Sequence, residues 1–468
     1  MSKQTPGKLG LGRVIGYGAG DFAFNLSFTF CSLFLLYFYT DVLEIHPGTA
    51  GLIIMAALIW EGISDPIIGI LANRSRSRWG RYRPFLLFGA VPLGLSVIAM
   101  FMPVGLTGAA LVAYCFITHL IYRTLFTVVN IPYIALSAQM TRDTNQRGAL
   151  AATRMLFAIA CGVVLAALTL PLSAAFGGGQ TGFFILSIVY SVVAAAVLLI
   201  CFASTREEVV EAEHAPIRFR DMFAAMAVNR PFLLLFAATA LGATGYTMAG
   251  KAVIYYIKYW VGSEAAVTLA LVVGLGAAAL AMIPWMLVAR RFSKRAVWLA
   301  GAMINVVAFG VILAFAPRGG VLLWGALVAI GVGNSAFILT FWSMIPDTVE
   351  FGEWRTGTRA EGPLFGLIAF SQKVALGLGT GLIGVLLDVV GYTPNQAQTP
   401  ETLRGIVLLY GLGPMLLFLG SIAVIWAYPL TGSVHGRIVR VIDWRKSRLS
   451  DPRPRGGRVP SSSDQPLG

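Results

Sequence analysis

The chain of 468 residues is apolar and basic: 57% of its residues are hydrophobic, 12% are charged, and the formal net charge is +14. Its mean hydropathy of +0.77 excludes the usual composition of a soluble globular protein, which is about half apolar and a quarter charged. Nucleic-acid binding is also disfavoured, because no basic stretch is interleaved with aromatic residues on a polar domain. The composition is typical of an integral membrane protein.

Twelve apolar runs, each long enough to cross about 30 Å of hydrocarbon, follow one another along the chain. The first run carries Asp21 and lacks a small-residue cleavage site, so we expect a retained helix and not a signal peptide. We therefore predict an all-α, polytopic membrane protein. The twelve runs lie near residues 14–40, 48–73, 84–103, 108–138, 148–175, 179–203, 231–260, 263–289, 296–316, 320–346, 362–391 and 404–428.

The loops between these runs alternate in charge. One set is rich in Lys and Arg, as in NRSRSRWGRYRP and ARRFSKR, whereas the other set is nearly free of them, as in FGGGQTG and GSEA. Cytoplasmic loops collect basic residues. We therefore expect both termini in the cytoplasm and a multi-pass protein of the cell (inner or plasma) membrane.

The twelve runs divide into two halves that match each other. Arg76 and Arg290 are separated by 290 − 76 = 214 residues, and Ile131 and Ile345, each followed by proline, by 345 − 131 = 214. The pattern predicts two pseudo-symmetric six-helix bundles and a central cargo cavity, the layout of the major facilitator superfamily. We expect an N-terminal bundle, a cytoplasmic linker loop, a C-terminal bundle and a basic, disordered cytoplasmic tail that contacts anionic lipid, at 1–203, 204–230, 231–429 and 430–468 respectively.

Two acids interrupt the second apolar run in the stretch WEGISDPIIG. Glu61 and Asp65 are four residues apart, so on a helix they share one face near the centre of the membrane. Each intramembrane acid costs about 2.5 to 3.5 kcal/mol on insertion scales. The pair is therefore expected to bind partners or to have a function.

Three basic residues lie deep enough in other runs to face these acids: Arg123, Arg154 and Lys373. With Asp21 in the first run, three interior acids face three interior bases, or four if Lys251 in the seventh run lies deep enough, so the buried charge is near balance. Such a network can take up one small cation by exchanging its internal pairs, and both H⁺ and Na⁺ are open as that cation. Structural ion pairs that lock helices together are the alternative, for Arg123 in particular.

Arg123, Thr127 and Asn130 follow an i, i+4, i+7 pattern on the fourth run, which turns a hydroxyl and an amide oxygen toward the same cavity. Hard cations such as Na⁺ prefer oxygen ligands, so Thr127 and Asn130 are candidate ligands beside the carboxylates. No other metal site is expected, since the cysteines are scattered. His119 is interpreted as a hydrogen-bonded core residue.

A cytoplasmic gate and an aromatic cavity residue complete the candidate sites. Acids at the end of the tenth run face basic residues in the equivalent loop of the other half, and such exposed pairs, worth under about 1 kcal/mol each, suit a gate that opens repeatedly. Trp342 can stack on a sugar face or pack in the core. The gate residues are Arg142, Arg147, Asp347, Glu350 and Glu353.

Four stretches resemble the glycoside-pentoside-hexuronide:cation symporter family, to which melibiose permease belongs. They are DFAFNLSFTFCSLFLLYFYTDVLEI, WEGISDPIIGILANRSRSRWGRYRPF, NIPYIALSAQMTRDTNQRG and IPDTVEFGEWRTGTRAEG. The resemblance covers all twelve runs. It implies that Glu61, Asp65 and Thr127 bind the coupling cation and that Lys373 faces those acids. It also implies that Trp342 lies near the position of an aromatic residue in the family's cavity. The positions that match sugar contacts are Asp21, Asn130 and Arg154.

Some positions depart from that family pattern. Melibiose permease has aspartates where this chain has Glu61 and Asn130, and a tryptophan where it has Ile134. These departures weaken Na⁺ coordination and favour H⁺, and they argue against melibiose itself as the cargo. Arg123 is not part of the family pattern and is a candidate contact for an acidic sugar, and Lys373 is a second candidate sugar contact beside its cation role.

We predict a cation-coupled symporter, not an enzyme, that imports a glycoside, pentoside or hexuronide by alternating access, works as a monomer and needs no cofactor beyond the coupling ion, H⁺ or Na⁺. A lipid or amphiphile transporter on the same fold is the main alternative. An integral membrane enzyme would need a nucleophile–base or metal constellation, and a channel would need a repeated filter motif; the sequence displays neither.

Overall fold

The computed structural model describes residues 9–141, 143–207, 229–357, 361–430 and 432–450. Within these ranges, twelve helices are long and apolar enough to cross a membrane, as predicted. A thirteenth, polar helix follows them. The helices are α1 (Leu11–Tyr37), α2 (Pro47–Arg74), α3 (Arg83–Phe101), α4 (Gly108–Met140), α5 (Thr144–Ala175), α6 (Gly179–Ser204), α7 (Arg230–Tyr255), α8 (Glu264–Arg291), α9 (Lys294–Phe315), α10 (Gly320–Thr356), α11 (Glu361–Val389), α12 (Pro400–Trp426) and α13 (Gly432–Ser450).

Local sequence explains where these helices begin and end. Proline opens α2 and α12, where the missing N–H costs no helical hydrogen bond. Ser293 caps α9 by accepting a hydrogen bond from the backbone N–H of Ala296, and Gly357 ends α10 with a φ of 76°. A π-helical turn extends α1 over Phe38–Val42, and a second one extends α7 over Tyr256–Val261.

The helices form two halves, α1–α6 and α7–α12, that meet along two main helix pairs: α2 packs on α11, and α5 packs on α8. Pro132 and Pro346, related by the internal repeat, both lie inside helices, α4 and α10. We call the end that carries α13 the basic face, and the end that carries the loops at 43–46, 262–263 and 390–399 the opposite face.

Glycines allow α2 and α11 to approach closely near the opposite face. A Cβ atom at Gly384 would lie 2.8 Å from the Cα of Gly51, and a Cβ atom at Gly51 would lie 3.1 Å from the carbonyl oxygen of Thr380. Small residues at such crossings let two backbones touch, which is how helices associate tightly in a membrane. The halves are therefore in backbone contact at this end.

A polar network also joins the halves at the opposite face. The carboxylate of Asp41, at the end of α1, accepts hydrogen bonds from Lys258 Nζ at 2.9 Å, Tyr259 Oη at 2.5 Å and Tyr392 Oη at 2.9 Å. Asn395 Nδ2 donates to the Asp41 backbone carbonyl at 2.5 Å. All four donors belong to the C-terminal half, so this face is closed.

The expectation of a disordered tail is wrong for residues 432–450, which form α13. Ile438 and Ile442, one helical turn apart, are buried, and the helix packs on α10. The predicted linker loop falls largely on residues 208–228, and the rest of the tail on 451–468; both segments lie outside the described residues.

Candidate functional site

Glu61 and Asp65 lie halfway along α2. Glu61 follows Pro47 by 61 − 47 = 14 residues and precedes Arg74 by 74 − 61 = 13. The side chain of Glu61 is fully buried, and that of Asp65 is 17% exposed. Their four-residue spacing places both carboxylates on the same face, as predicted.

Arg123 on α4 binds the more deeply buried acid. Its Nη1 donates to Oε2 of Glu61 at 2.8 Å, and both residues are at most 1% exposed. Its Nε donates to Nε2 of His119, one turn earlier on the same helix, at 3.0 Å. His119 is thus a buried, hydrogen-bonded residue, and its only role visible here is to orient the guanidinium.

Lys373 on α11 joins both acids from the other half of the protein. Its ammonium donates to Oε1 of Glu61 at 2.8 Å and also binds Oδ2 of Asp65. The remaining carboxylate oxygen, Oδ1 of Asp65, accepts a hydrogen bond from the hydroxyl of Thr127 at 2.9 Å. The structure therefore brings together four of the five residues predicted to bind the cation.

The charges of this cluster sum to zero, because two carboxylates face one guanidinium and one ammonium. Every carboxylate oxygen has a partner, so an entering cation competes with these partners for the carboxylates. Arg123 is locked in the core, whereas the Lys373 side chain is 20% exposed and carried by a flexible stem. Lys373 is the partner that can leave at the lower cost.

A second ion pair lies between α1 and α5. Arg154 donates to Oδ1 of Asp21 through Nη2 at 2.8 Å and Nε at 3.1 Å. The guanidinium lies 5.0 Å from the ring centre of Tyr133, which stacks on Tyr17 with ring centres 4.8 Å apart. Both members of the pair are partly exposed, so their remaining polar atoms are available to a polar cargo.

Three predicted binding residues differ in their surroundings. Asn130 is partly exposed, and within the described part of the chain its side chain forms no hydrogen bond. Trp342 is 41% exposed, and its ring is tilted by 38° against that of Phe341, with ring centres 4.9 Å apart. Arg123 is buried and already paired, which argues against the predicted contact with an acidic sugar.

The predicted gate residues also have other partners in this structure. Arg147 donates to backbone carbonyls of its own half, those of Thr141 and Ala138. Arg142 lies outside the described residues. The three acids of α10 bind the C-terminal half and its final helix: Asp347 pairs with Lys294 at 2.7 Å, Glu350 with His435, and Glu353 with Lys446 at 2.7 Å.

Residue spacing did not predict the network around Asp41 on the opposite face. The acid ends α1 within the aromatic stretch FYTDV, which reads as a helix end at the membrane surface. Its partners Lys258 and Tyr392 are more than 200 residues away in the chain, so no local pattern connects them. A carboxylate flanked by a tyrosine-rich helix end was the available signal.

Two halves of six membrane-spanning helices, with a buried charge cluster between them, define a secondary transporter of the major facilitator fold. The chain belongs to the family described as MFS/sugar transport protein, whose model matches residues 16–432. It is 31% identical to the uncharacterized symporter YnaJ of Bacillus subtilis (strain 168), over 95% of this chain and 97% of that protein.

The chain is also similar to a glucuronide carrier protein homolog of Escherichia coli (strain K12), at 31% identity over 92% of this chain and 95% of that protein. Among solved structures, it resembles a bacterial homolog of the human lysosomal transporter Spinster in an inward-facing and unoccupied conformation. The TM-score is 0.68 at 12% identity, covering 92% of this chain and 98% of that chain. This last likeness shows the fold alone.

Proposed function

We propose that this protein imports a sugar, such as a glycoside, pentoside or hexuronide, together with H⁺ or Na⁺ by alternating access. Family membership and the names of its relatives support sugar symport. The cluster of Glu61, Asp65, Thr127 and Lys373 supports coupling to a cation. No covalent step is involved, so the protein is a carrier and not an enzyme.

One observation carries this proposal: Lys373 of the C-terminal half is held by two acids of the N-terminal half. A cation that binds Asp65 competes with the ammonium for the carboxylate and weakens this bond between the halves. Cation binding is thereby linked to the relative motion of the halves. By thermodynamic reciprocity, a sugar that prefers the same state raises the affinity for the cation.

The sugar site is proposed at Asp21 and Arg154, with Asn130 and Trp342 as further contacts. An ion pair between α1 and α5 offers donors and acceptors to hydroxyl groups, and Tyr17 and Tyr133 supply flat apolar surface beside it. Lys373 would contact the sugar when the cation has displaced it from Asp65. One chain contains all of these residues, consistent with a functional monomer.

The basic face is proposed to be cytoplasmic, with both termini on that side of the cell membrane. The structure then represents a state that is closed toward the outside, since the Asp41 network and the α2–α11 contact seal the opposite face. When the basic face closes in turn, Arg142 and Arg147 would take over Asp347, Glu350 and Glu353 from their present partners.

Uptake of a labelled glycoside panel into vesicles tests the proposal, with imposed H⁺ or Na⁺ gradients applied in separate experiments. We expect gradient-driven accumulation in the native protein and its loss in Asp65→Asn, because the amide carries no negative charge and cannot take up a proton. Downhill exchange of sugar should survive in this variant. Asp443→Asn, which changes an exposed aspartate of α13, is the matched control and should accumulate sugar as the native protein does.

Two results would refute the assignment. Normal accumulation by both Asp65→Asn and Glu61→Gln would show that coupling does not pass through this cluster. If folded protein in the vesicles takes up no sugar of the panel in either gradient, the proposal of sugar symport itself is refuted.

A further inference from the structure

The guanidinium of Arg123 is surrounded by polar and aromatic partners within the protein core. Glu61 holds its Nη1, His119 accepts from its Nε, and the rings of Phe28 and Tyr122 lie 5.4 and 5.3 Å from its guanidinium carbon. Aromatic faces attract a cation, most strongly where water is excluded. The guanidinium is therefore enclosed on several sides by groups that favour a positive charge.

His119 supports the same interpretation. Its Nε2 accepts a hydrogen bond from Arg123, so the ring is neutral and its proton is on Nδ1. That Nδ1 is buried and has no hydrogen-bond partner in the described part of the chain. An unpaired buried Nδ1–H group costs free energy, but this tautomer leaves the lone pair of Nε2 able to accept the hydrogen bond from Arg123.

We propose that Arg123 is a tethered cation that permanently occupies Glu61, makes the cluster unfavourable for Na⁺, and leaves Asp65 as the one carboxylate at which the coupling cation exchanges with Lys373. The guanidinium keeps its charge at every physiological pH and is at most 1% exposed, so it cannot leave as a mobile ion does. This role in coupling rests on the proposed function, whereas its effect on Na⁺ binding does not.

The charge balance explains the selectivity. Na⁺ is a hard cation that binds through oxygen ligands, and a net negative charge on those ligands favours its binding over hydration. Here the two carboxylates are matched by Arg123 and Lys373, and within the described residues the buried amine of Lys251 on α7 donates to the Ser32 carbonyl. Replacing Arg123 by a neutral residue makes the net charge of the cluster more negative by one unit, whatever the charge of Lys251.

Na⁺ binding to purified full-length protein tests this inference without any sugar. Thermal unfolding and calorimetric titration would be run in NaCl and, separately, in choline chloride, at a pH of about 8 to keep the carboxylates ionised. The variants are Arg123→Gln, which deletes the cation, Arg123→Lys, which keeps a charge, and the double variant Glu61→Gln/Arg123→Gln, which deletes both charges of the pair. The double variant restores the original balance.

We expect Na⁺ to bind Arg123→Gln at least about tenfold more tightly than the native protein. The electrostatic energy of one unit charge at contact distance exceeds the binding free energy that corresponds to a tenfold change in affinity. The native protein, Arg123→Lys and the double variant should respond to NaCl and choline chloride alike. A structural salt bridge would instead give loss of stability with no preference between the two salts.

Each outcome decides the question. Recovery of folded Arg123→Gln only in the presence of NaCl would support the inference, because Na⁺ then replaces the guanidinium. Misfolding of this variant in both salts, beside a folded double variant, would overturn it, and so would native Na⁺ affinity equal to that of Arg123→Gln. If Na⁺ affinity rises as expected but no sugar is transported by any form, the proposed function fails and this inference stands.

Discussion

Thr127 presents a single hydroxyl to the acid that we expect to exchange its cation. The side chain is 1% exposed and its hydroxyl donates to Oδ1 of Asp65 at 2.9 Å. When a cation sits on Asp65, the same oxygen can turn a lone pair toward it. The hydroxyl can therefore donate to Asp65 when the ion is absent and coordinate the ion when it is present.

Replacing Thr127 by valine keeps the shape of the side chain and removes this oxygen. A hydrogen bond to a charged group is worth about 1.5 to 3 kcal/mol, so we expect the cation concentration for half-maximal sugar uptake to rise on the order of tenfold. Thr127→Ser retains the hydroxyl and should stay near the native value. Equal values for the two variants would exclude Thr127 as a ligand.

Helical spacing assigns residues to common faces of α2 and α4 but does not specify the pairs between helices. A four-residue step places Glu61 with Asp65, and Arg123 with Thr127, on common faces whatever the tertiary structure. Which acid takes the guanidinium depends on the rotation of each helix in the bundle.

At the scale of whole helices, the contact between α2 and α11 depends on the absence of side chains. A Cβ atom at Gly384 would lie closer to the Gly51 backbone than real Cβ atoms do, and it would also press against the carbonyl of Pro47. The two backbones must separate to admit a methyl group. The seal at the opposite face is therefore sensitive to a single carbon atom.

We expect Gly384→Ala to destabilise the closed state by about 1 to 3 kcal/mol, the usual cost of overpacking. The change should lower the temperature of thermal unfolding and raise the labelling of a cysteine introduced at Thr380, a buried residue of α11 at this contact. Gly310→Ala is the matched control: its Cβ would meet no atom within 4 Å, and alanine favours the helix. A similar response in both variants would mean that helix contact is not the cause.

Sequence patterns predicted the twelve apolar helices because length and hydropathy alone decide whether a segment crosses a membrane. Most ends agree within a few residues, but α10 continues to Thr356, 356 − 346 = 10 residues beyond the predicted end. The same criterion failed for α13, which is polar and basic and resembles a disordered tail by composition. Its helix depends on packing against α10 and on the pairs from His435 and Lys446 to that helix. Only tertiary contact distinguishes the two cases.

For the whole molecule, the two-half architecture followed from the internal repeat, but the conformational state did not. Closed and open forms share every helix and differ in the contacts between halves. Such contacts join residues far apart in the chain, like Asp41 and Tyr392. A state is also a property of an equilibrium, and differences of a few kcal/mol decide it.

Asp41 is where we expect that equilibrium to be most easily shifted. Its side chain is 1% exposed and binds three donors of the other half, whereas Glu264, at the edge of the same network, is 67% exposed and meets Lys258 at 3.2 Å. Asp41→Asn keeps the size and removes the charge, so the opposite face should open more often, by about tenfold in population for each 1.4 kcal/mol lost. Distances between spin labels at Thr107 and Ala397 report this opening directly. Glu264→Gln should leave them nearly unchanged, because an exposed pair contributes under about 1 kcal/mol; identical distances in native protein and Asp41→Asn would show that the network does not hold this face shut.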